Sequence, residues 1–105
     1  MNHYRDETMQ LCKHKGWDKA NVSTVWMLYT EENGELASAI RQLMRMYRKT
    51  GLKKDKGTDV TQEMCDVLSY LFQLAGMLNI DLDQGWAIHK EKAQGKIYKE
   101  NMGVY

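Results

Sequence analysis

Two pairs of acidic residues interrupt lines of apolar residues at helical spacing. Tyr29 and Leu36 flank Glu32 at steps of three and four, so Glu32 falls near a stripe that a helix would bury. Glu35 follows three residues later on a neighbouring position of that face, and Glu31 joins Glu35 at a spacing of four. Further along, Glu63 lies between Val60 and Val67, and Asp66 follows Glu63 by three. A solvated face would not place acid on an apolar line. If the two helices pack antiparallel, four carboxylates meet, and each pair at ~4 Å would repel by roughly 4 kcal/mol at an effective dielectric of ~20. Such a cluster calls for cations or protons. With oxygen ligands and no nearby His or Cys, the set suits a hard ion, Mg²⁺ or in its place Mn²⁺, rather than zinc. Di-iron bundles use Glu-x-x-His, and none of His3, His14 or His89 stands three after a Glu.

The elements that must position these acids read as four helical segments. The first spans about Asn2 to Lys15 and stops at Gly16, a residue suited to a left-handed cap. The second starts near Ser23 or Thr24 as N-cap and runs to about Lys49 along Val22, Val25, Tyr29, Leu36, Ile40, Leu43 and Tyr47. A Lys-rich joint over 52–57 leads to a third, capped by Thr58 or Asp59, whose apolar line is Val60, Val67, Leu71, Leu74 and Leu78. Asp81 with Gln84 forms a capping pattern ahead of a fourth helix through Leu82, Trp86, Ala93 and Ile97. Gly at the joints and the absence of proline favour long helices. The expected fold is an all-α four-helix bundle.

With 105 residues, 1–105 make one domain, and a layer of helices this short leaves apolar surface uncovered. Met27, Leu28, Met44, Met46, Met64 and Met77 lie beside the main stripes, so a homo-oligomer is expected. A net charge of +1, from 15 basic and 14 acidic residues, gives no bulk attraction to nucleic acid or anionic lipid. The polar start, Met1 to Glu7, holds no apolar signal core, and no apolar run approaches the ~20 residues of a membrane span. A cytoplasmic protein without a membrane partner is expected. Cys12 and Cys65 lack a Cys-x-x-Cys spacing and read as small buried hydrophobes.

Glu31-Glu32-Asn33-Gly34-Glu35 and Glu63-Met64-Cys65-Asp66, separated by residues 36–62, resemble the EExxE and ExxD elements of the MazG-like all-α NTP pyrophosphatases. The resemblance covers about Lys15 to Tyr98. It implies Glu32, Glu35, Glu63 and Asp66 as Mg²⁺ ligands, with Glu31 as a further ligand or the group orienting the attacking water. It also implies Trp17, after Gly16, as an aromatic holding the base and Tyr70 as a nucleotide contact. Lys90, Gln94 and Tyr98 look like the family's phosphate-binding set in the last helix, where Gln94 stands in place of the usual Asn. The implied activity is Mg²⁺-dependent hydrolysis of a nucleoside triphosphate between the α- and β-phosphates. The monophosphate and pyrophosphate would be released, as in housecleaning of nucleotide pools. The implied assembly is a homodimer or a dimer of dimers whose neighbouring subunit completes the pocket.

Two other readings compete with this one. Arg41, Arg45, Arg48, Lys49, Lys53, Lys54 and Lys56 could form the basic edge of a non-catalytic helical interaction module. Alternatively, the acidic site could sense nucleotide or metal without useful turnover.

Overall fold

The structure is a computed structural model. It describes the backbone of residues 1–50 and 56–101 and the side chains of 1–45 and 59–95. The side chains of Met46, Tyr47, Arg48, Lys49, Lys56, Thr58, Ile97 and Tyr98, and all of Lys53 and Lys54, lie outside the described residues. Four helices follow one another: α1 (Asn2–Lys15), α2 (Val22–Thr50), α3 (Lys56–Met77) and α4 (Leu82–Asn101), with a 3-10 turn (Trp17–Lys19) between the first two. Among the described residues there is no strand, and no helix is long and apolar enough to cross a membrane.

The helix ends show why the chain breaks where it does. Gly16 closes α1 at φ 77°, a backbone that glycine adopts without a Cβ penalty, and its N–H reaches the Cys12 and Lys13 carbonyls. The α2 cap is Asn21 rather than Ser23 or Thr24, since its Oδ1 accepts the Thr24 N–H at 2.8 Å and satisfies a first-turn donor. Asp81 does the same for α4, taking the Gln84 N–H at 3.0 Å.

Helices α2 and α3 run antiparallel: Val25, Leu28 and Glu32 share a cavity with Asp66, Tyr70 and Gln73, whereas Ser38 and Gln42 face Asp59 and Gln62. Helix α1 lies back across the C-terminal half of α3, where Tyr4 stacks on Phe72 with ring centroids 5.7 Å apart and Arg5 donates to the Ile80 carbonyl at 2.6 Å. The core where the three meet is small, made of Cys12, Val25, Val67, Leu74 and Ala75, with Gln73 buried among them.

The apolar line read for α3 divides in two. Val67 and Leu74 turn inward, whereas Leu71 and Leu78 join Met64 and Leu68 on an exposed stripe. The reason is that α1 and α2 together cover only one side of α3. Likewise Cys12 is buried as a small hydrophobe but Cys65 is exposed, which corrects the reading of both thiols as core residues.

Gly76 permits the close approach of α1 to α3, because a Cβ there would overlap Cγ and Sδ of Met9. Gly76→Ala is therefore expected to destabilise the fold by about 1–3 kcal/mol despite alanine's better helix propensity. A melting curve at or above that of the parent would show that Met9 moves aside freely.

Helix α4 is tied to the rest at its first turn. Asn2 Oδ1 accepts the Leu82 N–H at 2.8 Å, and the Met1 ammonium donates to Asp83. Beyond that turn Trp86 and Ile88 are half exposed. The molecule is flat, 46 × 44 × 22 Å, barely two helix diameters thick. Its radius of gyration is 17.9 Å, against about 13 Å for a compact chain of this length. The four helices are thus all present, and among the described residues the contacts that tie α4 to the others lie at its first turn.

Candidate functional site

The antiparallel pairing decides which acids meet. Glu32 on α2 comes opposite Glu63 and Asp66 on α3, and one carboxylate oxygen from each lies within 4.8 Å of the other two. The three side chains are half-buried. Glu32 Oε2 and Glu63 Oε2 are buried with no hydrogen-bond partner. Asp66 Oδ1 accepts one hydrogen bond, from Gln62 Nε2 at 3.2 Å. Buried carboxylate oxygens without donors are costly, and these two belong to carboxylates of the same acidic cluster.

The Glu32 carboxyl is pushed up to about 7, first by burial, then by the charges of Glu35, Asp66 and Glu63. A proton thus relieves the cluster near neutrality, and a hard divalent cation would relieve it more completely. The donor set is three carboxylates with two orphaned oxygens, and it fits Mg²⁺ or Mn²⁺.

The acids separate two cavities. On one side Glu35 and Glu63 line a shallow groove of about 310 Å³ together with Ser38, Gln42, Asp59 and Gln62. On the other, Glu32 and Asp66 close one end of a cavity of about 640 Å³ between α1, the 3-10 turn, α2 and α3. Its walls are Leu11, Cys12, Val25 and Leu28, with Trp17 and Tyr70 as aromatic faces and Thr8, Ser69 and Gln73 as polar points. Tyr70 stays protonated above its ordinary range, through burial and then the charges of Glu32, Asp66 and Glu31, so its hydroxyl remains a donor. Burial, followed by the charge of Asp18, likewise raises the Cys12 thiol, which is a poor nucleophile here.

Of the residues singled out in the sequence, Glu32, Glu63 and Asp66 meet directly. Glu35 stands beside them toward the groove, and Glu31 is exposed but near enough to Tyr70 to act on its hydroxyl. Trp17 and Tyr70 share the apolar cavity with the acids. Lys90 and Gln94 are exposed on α4 and line neither cavity.

Two residues at this site escaped the sequence reading. The Lys15 ammonium sits 5.5 Å from the Trp17 ring centre, bringing a cation to the cavity's aromatic edge. Gln73 is 5% exposed in the cavity wall, and the legible signal was a lone amide within the apolar run Leu71-Phe72-Gln73-Leu74-Ala75. Comparison of the chain with protein-family models, with curated proteins and with solved structures gave no match.

Proposed function

We propose that the protein is a Mg²⁺-dependent nucleoside triphosphate pyrophosphohydrolase of the MazG-like kind. One observation carries this reading: three converging carboxylates, two with orphaned buried oxygens, close the end of a cavity whose other walls are apolar and aromatic. One end suits a polyphosphate with its cations and the other a flat base. Glu32, Glu63 and Asp66, with Glu35 adjacent, would hold the metal. When bound, Mg²⁺ supplies charge neutralisation of the triphosphate and Lewis-acid polarisation at the α-phosphorus. Glu31 would be a further ligand or orient the attacking water, Trp17 would cover the base, and Tyr70 would donate to the sugar or phosphate. The products would be a nucleoside monophosphate and pyrophosphate. Phosphorus NMR of the products tests this, and orthophosphate as the sole phosphorus product beside the diphosphate would overturn it.

Self-association belongs to the same proposal. Among the described residues no Lys or Arg lines either cavity, yet a triphosphate needs cations beyond the metal. Trp26, Met27, Met64, Leu68, Leu71 and Trp86 are all more than 40% exposed, and large apolar side chains left in water favour burial against a partner. A second copy would cover those faces and bring basic residues such as Lys90 toward the site. Sedimentation at micromolar concentration is expected to show a homodimer or larger, and Met64→Lys with Leu68→Lys is expected to weaken it by at least tenfold in Kd. A monomer for the parent protein would contradict this part of the reading.

A further inference from the structure

We propose that Gln73 is the specificity-determining residue of the cavity, reading the hydrogen-bonding edge of the nucleotide base. This inference rests on the nucleotide reading of the site and adds to it a residue that the motif resemblance does not supply. Gln73 is buried to all but 5% of its surface, and it is the sole buried polar or charged residue among the described ones. Its hydrogen bond from Nε2 to the Trp17 carbonyl is 3.5 Å long, at the limit of what such a bond can be. An amide with two donor hydrogens and an acceptor oxygen is thus held in a mostly apolar wall, and the long bond to Trp17 uses only one of its donor hydrogens.

Its position along α3 matches the span of a nucleoside. Asp66, Tyr70 and Gln73 follow at steps of four and three, with Ser69 three after Asp66 and four before Gln73, so all stand on one face of the helix and line the same cavity. Asp66 and Gln73 are seven residue steps apart on the helix, a rise of about 10 Å. A ribose and base laid end to end from a phosphate at the acids cover a similar distance. Trp17, whose carbonyl faces the Gln73 amide, offers its ring beside that end of the cavity. The bond to Trp17 orients the amide with Nε2 toward the 3-10 turn. The Oε1 acceptor and the second Nε2 hydrogen remain as an adjacent acceptor and donor, the pattern that pairs with the Watson–Crick edge of a base. A purely structural glutamine here would serve only to tie the turn to α3.

Two measurements separate these roles. The first compares kcat/KM of the parent and Gln73→Met, in Mg²⁺, for the four common nucleoside triphosphates and for one methylated on its Watson–Crick edge. Gln73→Met is expected to lower kcat/KM for the preferred base by about 10- to 100-fold, flatten the preference among bases and close the gap to the methylated substrate. A structural role would instead lower every substrate by the same factor, which overturns the proposal. The second uses ¹⁵N-labelled protein, with the Gln73 side-chain amide assigned by its loss in Gln73→Met or, should that variant not fold, in Gln73→Glu. Nucleoside monophosphates are expected to shift that resonance, and ribose 5-phosphate, which has no base, is expected to leave it in place. If the parent cleaves no triphosphate but the amide still responds to the base, the hydrolase reading falls and the role of Gln73 stands. An amide that ignores the base, or answers ribose 5-phosphate equally, overturns the role of Gln73 whatever the activity.

Discussion

Glu32→Gln is expected to abolish hydrolysis and, in EDTA at pH 8, where the parent carboxyl is ionised, to raise the melting temperature above that of the parent. The two effects have one electrostatic origin. Glu32 faces Glu63 and Asp66 within 4.8 Å and has Glu35 at its side, with no compensating donor for its buried Oε2. Replacing a repelled carboxylate with an isosteric amide removes one charge and supplies an N–H that can donate to a neighbouring acid. The relief is on the order of 1 kcal/mol after solvent screening, or about 4–8 °C in a domain of this size. Millimolar Mg²⁺ should reverse the order. The parent gains the free energy of binding, whereas an amide is a poorer ligand for a hard cation. Activity should fall roughly 10²- to 10³-fold or more, because the group lost is one the reacting phosphate depends on. An ordinary paired surface acid behaves differently, since its loss destabilises slightly with or without metal. Melting curves of both proteins in EDTA and in Mg²⁺ decide the matter. A variant that melts below the parent in EDTA, and shifts equally with Mg²⁺, removes Glu32 from the metal site.

The second large effect is on pH. The Glu32 carboxyl titrates at about 7 in the fold, against 4.5 for a free glutamate, so between those values the folded state holds a proton that the unfolded state has released. Stability then falls as pH rises through this window. The contribution is fully favourable below about 4.5, and the penalty is complete above about 7. Metal-free protein should therefore lose on the order of 1 kcal/mol between pH 5 and 8 from this group alone, discounted for its partial exposure. Mg²⁺ competes with that proton, so the stabilisation it gives should grow over the same window and binding at pH 6.5 should release protons. Calorimetry in two buffers of different ionisation enthalpy measures the release directly. Glu32→Gln should flatten both the pH slope in EDTA and the proton release. A parent protein whose melting point in EDTA is level or rising from pH 5 to 8 would show that the carboxylates do not repel as their geometry requires.

Much of the site was legible in the sequence because helices have a fixed period. Glu32 between Tyr29 and Leu36, and Glu63 between Val60 and Val67, are tied to buried faces by spacing alone, and the fold places both in the same half-buried cluster. Helix α1, the αL cap at Gly16 and the Asp81 cap follow from equally local rules. The Asn21 cap was missed because Ser23 and Thr24, two and three residues on, carry the same cap preference, and only the backbone shows which side chain reaches the first turn.

What periodicity could not decide was where each helix lies against its neighbours. A line of apolar residues on α3 reads as one face, but α1 and α2 cover only part of it, so Val67 and Leu74 are buried while Leu71 and Leu78 meet solvent. The same packing left α4 tied at its first turn, with Lys90 and Gln94 away from the acids, although their spacing resembled a phosphate-binding set. The antiparallel pairing set Glu35 toward the groove and joined Glu32 to Glu63 and Asp66, a choice among four carboxylates that no local rule makes. It also buried Gln73 opposite Trp17, residues far apart in the chain. Local spacing determined which side chains share a helix face, because backbone geometry repeats along a single helix. Tertiary packing decided which faces meet, because that depends on the summed fit of surfaces distant in sequence.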